Sequence, residues 1–418
     1  MHPAAPAESA QWPLRAGDRY NLRFLNEEGG KGKTSYFDFA SQFETFAAVQ
    51  PMKIFLQISL PLRLPLYFLL AISACKEHEK EENKEADLLS QRAAFEIQPF
   101  AENLVPCDSL SFSAIRTDSS LKTDSLVLFL NESRVARLSP ENLRFTAFTG
   151  NLGLGRHQFR LRGYLAGKEN GSADAEFIFR SPEAPESWTY EVVKTLPHNP
   201  SSFTQGLEWH NGKLYEGTGL NGKSAVMEIN PANGEALRTS PLGEEHFGEG
   251  ITILENKLYQ LTWQSHRAFV YKLPELEKIS ELGYPGEGWG LNHLNGLLLM
   301  SDGSERIEFH KPDDFSLVRS IQVWDHQNAV SELNELEVVD GFIYANKYQT
   351  DTIVKIDPVS GRVVAYLNLQ GLLKPEDRKG GEDVLNGIAW NPADNLWYLT
   401  GKNWPKVFAV RWVRKKPA

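Results

Sequence analysis

The sequence predicts an all-β chain, and three observations carry the prediction. First, one phrase recurs five times: a short apolar strand, a tight Asn/Asp/Gly turn and a returning strand. The copies are Gln205-Gly-Leu-Glu-Trp-His-Asn-Gly-Lys-Leu-Tyr215, Glu249-Gly-Ile-Thr-Ile-Leu-Glu-Asn-Lys-Leu-Tyr259, Trp289-Gly-Leu-Asn-His-Leu-Asn-Gly-Leu-Leu-Leu299, Asn334-Glu-Leu-Glu-Val-Val-Asp-Gly-Phe-Ile-Tyr344 and Asn386 to Tyr398. Second, they open 44, 40, 45 and 52 residues apart, and a period of roughly 40–45 residues is that of β-propeller blades with four short strands each. Third, the region ahead of the repeats holds short alternating strands with turn signals between them. Five copies predict a five-bladed β-propeller, preceded by a small Ig-like β-sandwich.

Taken in order, residues 1–51 show no persuasive periodicity and precede a second methionine, so they read as an extension without a fold. From Met52 to Cys75 a basic start leads into an apolar stretch, small residues and a cysteine. This resembles a bacterial lipoprotein signal, in which Cys75 becomes the lipid-bearing first residue. Arg63 and two prolines inside the stretch argue against an ordinary transmembrane anchor. Ile72 departs from the leucine usual in such cleavage boxes. Residues 76–92 are too charged to bury anything and read as a solvated tether. The expected location is the bacterial cell envelope, lipid-anchored and either periplasmic or surface-exposed.

Residues 93–185 supply the predicted sandwich, and Ser-Pro-Glu-Ala-Pro185 a stiff linker. The propeller is expected over 188–414. Its fifth copy yields three strands before the chain ends, so the segment 188–196 is expected to complete the last blade and close the ring, leaving no frayed edge. Gln370 to Asp383 is the long insertion, expected as a short helix or flap beside the mouth.

The first strand of every blade lines the central channel, so Gln205, Glu249, Trp289, Asn334 and Asn386 should ring one channel mouth. The returning strands should deliver Gly219, Trp263, Gly303, Tyr348 and Lys402 there. A lone carboxylate facing Trp263 and Trp289 is costly unless it is used, which singles out Glu249.

Composition narrows the function. Hydrophobic content of 41% and charged content of 23% are ordinary for a globular chain, and the net charge of −10 argues against nucleic-acid binding. With Cys75 lipidated, Cys107 has no partner for a disulfide. No Cys or His spacing suits a metal.

The motifs Ser202-Phe-Thr-Gln-Gly-Leu207, His246-Phe-Gly-Glu-Gly-Ile251, Leu258-Tyr-Gln-Leu-Thr-Trp263, Gly286-Glu-Gly-Trp-Gly-Leu291, Leu333-Asn-Glu-Leu-Glu337, Asp383-Val-Leu-Asn-Gly-Ile-Ala-Trp390 and Leu399-Thr-Gly-Lys-Asn-Trp-Pro-Lys406 together resemble the glutamine cyclotransferases of plant and bacterial type. The likeness covers about 190–412, with motifs in every repeat, and leaves the N-terminal sandwich outside. It implies a five-bladed propeller that cyclises the N-terminal glutamine of peptides or proteins to pyroglutamate, releasing ammonia. It places the family's acid/base glutamate on Glu249 and its polar substrate-binding residues on Gln205, Asn334 and Lys402. The aromatic pocket falls on Phe203, Phe247, Trp263 and Trp289, with Tyr348 where the family has a further tryptophan.

The ring suits that chemistry on its own terms. The α-amine must attack its own side-chain amide while the departing nitrogen gains a proton, and one carboxylate can carry that proton. Aromatic walls hold the folded substrate, and amides with Lys402 stabilise the oxyanion. No metal or organic cofactor is required, and a structural cation in the channel stays open. A lactonase-like metallohydrolase would need several oxygen or nitrogen ligands where the ring offers one carboxylate. A non-enzymatic binding propeller would have no need of Glu249.

Overall fold

The computed structural model describes residues 94–98 and 104–415. The fold is all-β: among the described residues the one helical element is a single 3-10 turn, Pro375–Asp377, inside the predicted insertion. The expectations for residues 1–51, the signal at 52–75 and the tether at 76–92 lie outside the described residues.

The N-terminal part is built from β1 (Phe95–Ile97), β2 (Ser109–Arg116), β3 (Ser125–Leu130), β4 (Ser133–Leu138), β5 (Arg144–Phe148), β6 (Gly155–Leu165) and β7 (Lys168–Phe179). They form two sheets, β1-β2-β5 and β4-β3-β6-β7. Alternation along β6, buried at every second residue, turns His157, Phe159 and Leu161 inward. There they join Phe112, Phe145 and Phe177 in one core shared by both sheets.

β8 (Glu186–Pro197) leads out of this part into four antiparallel meanders. The first is β9 (Thr204–His210), β10 (Lys213–Thr218), β11 (Ala225–Asn230) and β12 (Glu235–Pro241). The second is β13 (Gly248–Leu254), β14 (Lys257–Thr262), β15 (Arg267–Lys272) and β16 (Glu277–Gly283). The third is β17 (Leu291–Leu294), β18 (Leu297–Ser301), β19 (Arg306–His310) and β20 (Leu317–Gln322), and the fourth β21 (Leu333–Val339), β22 (Phe342–Lys347), β23 (Thr352–Ile356) and β24 (Val363–Asn368). β25 (Leu385–Asn391), β26 (Leu396–Gly401) and β27 (Lys406–Arg414) form three strands of a fifth group, and β8 pairs antiparallel with β27 as its fourth. The start of β8 also pairs, parallel, with β24. The hairpin turns take residues that tolerate positive φ: Asn211-Gly212, Asn295-Gly296 and Asp340-Gly341 each have φ between 50° and 78°.

The first strands pack side by side in a cycle, β9 against β13, β13 against β17, β17 against β21, β21 against β25 and β25 against β9. Five apolar clusters follow the same cycle. Tyr215, Ile253 and Phe269 lie between the first and second groups; Leu261, Leu291 and Met300 between the second and third; Ile307, Val323 and Leu336 between the third and fourth. Ile353, Leu385 and Trp404 join the fourth to the fifth, and Leu207, Tyr398 and Ala409 the fifth to the first. Each core is thus made by two neighbours, so no group can bury its apolar faces alone.

Acidic side chains tie the inner strands together. Glu335 on β21 accepts the Leu207 amide of β9 (3.2 Å) and the Ile388 amide of β25 (2.9 Å). Glu337 accepts the Trp390 amide (3.1 Å) and Asn292 Nδ2 (3.1 Å), and Glu208 on β9 accepts the Ile253 amide of β13 (2.9 Å). Burial pushes all three carboxyls up, Glu208 to about 8. Burial thus works against three charges at the axis, and the accepted amides keep the carboxyl oxygens hydrogen-bonded.

Candidate active site

Local backbone geometry explains how the ring residues come to face one mouth. Pairing between β9 and β10 skips Gln205, and pairing between β13 and β14 skips Glu249 and Gly250. The same irregularity leaves out Asn334 and Glu335 on β21, and Asn386 and Gly387 on β25. A bulge at the head of an inner strand turns its side chain out of the ladder, here toward the axis. Gly250 follows Glu249 because a Cβ there would stand 2.5 Å from the Leu291 amide of the next group.

A polar line crosses the mouth. Asn386 Nδ2 donates to Gln205 Oε1 at 3.0 Å and to the Thr204 carbonyl at 3.0 Å. Gln205, its amide orientation fixed by that bond, donates from Nε2 to Glu249 Oε1 at 2.8 Å. Gln205, Glu249, Asn334, Asn386 and Lys402 are all buried. The buried side-chain oxygens of Asn334 and Asn386 meet no protein donor, so two acceptors are left for another molecule.

Electrostatics single out two of these groups. Burial pushes the Glu249 carboxyl well above the usual carboxylate range; the Lys402 charge opposes that shift and the Glu287 charge adds to it. Burial draws the Lys402 ammonium down, against the charges of Glu249 and Asp383. A carboxyl and an amine, each drawn by burial toward its neutral form, make a pair suited to giving and taking protons.

Around them runs a circuit of rings. Phe203 meets Phe247 edge-on (6.1 Å between centroids), Phe247 meets Trp263 (5.7 Å), and Trp289 meets Tyr348 (5.5 Å). Two charges close the circuit. Lys402 Nζ lies over both Phe203 (4.9 Å) and Tyr348 (5.0 Å). Glu287 Oε2 accepts the indole N–H of Trp263 (2.7 Å) and of Trp289 (3.1 Å), while its Oε1 accepts Gln264 Nε2 (2.9 Å). Gly219 and Gly303 make room for two of the rings: a Cβ would stand 2.4 Å from the Phe247 ring and 2.7 Å from the Trp289 ring.

The structure therefore brings Glu249, Gln205, Asn334, Lys402, Phe203, Phe247, Trp263, Trp289 and Tyr348 to one site, while Cys75 lies outside the described residues. Sequence reasoning passed over Glu287. It stands two residues ahead of Trp289, the register position that Phe203 and Phe247 hold ahead of Gln205 and Glu249, and that register was the available signal. Among the described residues no group of three or more His, Cys, Asp or Glu side chains is arranged to hold a metal ion.

A buried carboxyl that feels the charge of a buried ammonium, with unpaired amide oxygens at two other strand heads and a wall of aromatic rings, defines an acid–base site for a small polar group on an all-β scaffold. Residues 165–412 match the glutamine cyclotransferase family, and the chain belongs to it. Over 227 residues it is 36% identical to a glutaminyl-peptide cyclotransferase of Arabidopsis thaliana, covering 53% of this chain and 70% of that protein. The crystal structure of the glutaminyl cyclase of Myxococcus xanthus is similar with a TM-score of 0.53 and 34% identity, covering 56% of this chain and 100% of that one.

Proposed function

We propose that Glu249 carries the proton in this glutaminyl-peptide cyclotransferase, which converts an N-terminal glutamine of peptides or proteins to pyroglutamate with release of ammonia. The carrying observation is the buried Glu249 carboxyl, raised in proton affinity and oriented by Gln205 inside the aromatic circuit. The neutral α-amine attacks the side-chain amide carbon, forming the lactam C–N bond. Glu249, starting as a carboxylate, takes one of the two amine protons and hands it to the amide nitrogen. The old C–N bond then breaks and NH3 leaves, the second amine proton staying on the lactam nitrogen. Lys402 supports the oxyanion of the tetrahedral intermediate, and the free oxygens of Asn334 and Asn386 suit the substrate's N–H donors. Phe203, Phe247, Trp263, Trp289 and Tyr348 hold the folded-back conformer and keep water out.

The same reading makes the five groups the blades of a closed five-bladed propeller, supported by the cycle of first strands and the five shared cores. The N-terminal part is an Ig-like sandwich that supplies no site residue. Lipidation of Cys75 would place the enzyme on the bacterial cell envelope. The reaction needs no cofactor.

Ammonia release from a Gln-initiated dipeptide tests the activity, and its absence would favour a propeller that only binds partners. Glu249→Gln keeps size and hydrogen bonding but removes the shuttle. Turnover should fall by about two orders of magnitude or more with KM within a few-fold. Near-full turnover would sink the assignment.

A further inference from the structure

We propose that Glu287 is a positioning residue of the cyclisation pocket, a single carboxylate that clamps the indoles of Trp263 and Trp289 into the shape that receives the folded glutamine. The inference rests on the cyclotransferase reading above. Its observation is geometric: one carboxylate takes both pocket indole N–H groups, at 2.7 and 3.1 Å, and its other oxygen is held by Gln264. Trp263 is 36% exposed at the rim. An indole so placed could donate to solvent, so its donation to Glu287 fixes the ring and orders a wall that would otherwise swing. Trp289 lies two residues ahead of β17; its backbone N–H donates to the Ser301 carbonyl (2.9 Å) and its carbonyl accepts the Gly250 amide (2.7 Å), so it is the orientation of the indole that is left to side-chain partners. Glu287 supplies that constraint.

The clamp is built to stay charged. Burial works against its ionisation, but the donors Gln264, Trp289 and Trp263, with His266 nearby, outweigh that and hold the carboxyl below its ordinary range. A fixed negative charge then faces Glu249 across the pocket. The charged and titratable groups that act on Glu249 are Lys402, which favours its carboxylate, Glu287, which disfavours it, and the Tyr284 phenol, with Asp383 acting on Lys402. Glu287 thus links the pocket's shape to the proton affinity of the shuttle.

Two substitutions separate the effects. Glu287→Gln keeps the length but loses the charge and turns an amide N–H toward donors. KM for a Gln-dipeptide should rise about tenfold with kcat within about threefold, the loss being one of substrate positioning. Because Glu249 acts first as a carboxylate, removing its negative neighbour should also move the acid limb of kcat/KM to lower pH. The substrate amine is the same in both proteins, so displacement of the limb reports the enzyme. Glu287→Asp keeps the charge on a shorter arm, and should raise KM while leaving the limb near its wild-type position. Trp263→Phe keeps the ring and removes one donor, so added to Glu287→Gln it should cost less than the two single changes sum to. A KM for Glu287→Gln within twofold of wild type, an unmoved acid limb, or strict additivity with Trp263→Phe overturns the proposal. Failure of Glu249→Gln to impair turnover would instead overturn the shuttle, and the KM effects at Glu287 would still stand.

Discussion

At the scale of single residues, the mouth depends on atoms that are absent as much as on those present. Gly303 has φ of 83° and lies under Trp289, where a Cβ would stand 2.7 Å from the ring. Gly303→Ala is therefore strained in its backbone and pushes the indole into the pocket. Initial-rate kinetics should show KM raised about tenfold or more, with circular dichroism unchanged. Asn386 acts one step further back, since its bond to Gln205 Oε1 decides which end of that amide faces Glu249. Asn386→Ala should reduce kcat/KM less than Glu249→Gln does, chiefly through KM, because Gln205 can still reach Glu249 in a fraction of molecules. The ring positions were legible because the repeat fixes the register, and one lone acid among amides and tryptophans stood out. The hydrogen-bonded order Asn386, Gln205, Glu249 was not, because it depends on bulges whose dihedrals no spacing encodes. Glu287 was missed because the repeat was read from Trp289 onward, two residues past it.

At the scale of strands, the joint between the chain ends is held by a buried polar cluster as well as by the β8–β27 ladder. His198, just past β8, sits with one ring nitrogen 3.0 Å from Glu216 Oε1 on β10 and the other 2.6 Å from the Trp404 carbonyl in the β26–β27 loop. Thr204 and Ser202 donate to the same carboxylate at 2.7 and 3.3 Å. Burial pulls His198 down, but the charge and hydrogen bond of Glu216 outweigh it, so its proton affinity is raised. His198→Ala leaves Glu216 buried and short of a partner, and should destabilise by about 3–5 kcal/mol in urea unfolding at pH 6. The sign follows from linkage: the wild-type clasp stabilises fully below the ordinary histidine range and loses that contribution as pH rises through the raised value, so the difference between the proteins should shrink at high pH. Strand pairs and turns were readable from alternation and Asn-Gly or Asp-Gly dipeptides. The axial acids were not. Glu335 stands where four of the five repeats have glycine, and only the fold shows its carboxyl taking backbone amides from β9 and β25.

At the scale of the whole molecule, three properties are open to measurement: stability against pH, attachment to a membrane, and the independence of the two parts. For the first, Glu208 binds a proton up to about pH 8 when folded but only to the ordinary carboxylate range when unfolded. Its contribution is present in full below that range and is lost as pH rises toward 8, at about 1.4 kcal/mol per pH unit. Glu208→Gln, which still accepts the Ile253 amide, should flatten the fall in Tm between pH 5 and 8. For the second, Cys75→Ser should release the protein from the membrane fraction and abolish lipid labelling, and unchanged labelling would refute the anchor. The third turns on what joins the N-terminal sheets to the five strand groups. Arg156 and Gln322 exchange two hydrogen bonds (3.0 and 2.9 Å), and the Leu154 amide donates to the Ser360 carbonyl at 2.9 Å. The guanidinium groups of Arg156 and Arg180 lie 5.8 and 6.0 Å from the Trp324 ring, which is buried. Such a polar joint with one covered tryptophan holds two bodies in place without making either one's core. None of these residues belongs to the pocket, and the five apolar cores shared by neighbouring strand groups contain no residue from β1 to β7. A chain beginning at Ser181 keeps β8 with both its pairings. It should fold, turn over a Gln-dipeptide with kcat within about twofold of the full chain, and melt several degrees lower because Trp324 becomes exposed. Removing β8 as well, with a chain beginning at His198, strips β27 of its ladder and should abolish folding. If the chain beginning at Ser181 lost tenfold in kcat while remaining folded, the sandwich would have to reach the pocket through the Trp324 loop, and its assignment as a part without a role in the chemistry would fall.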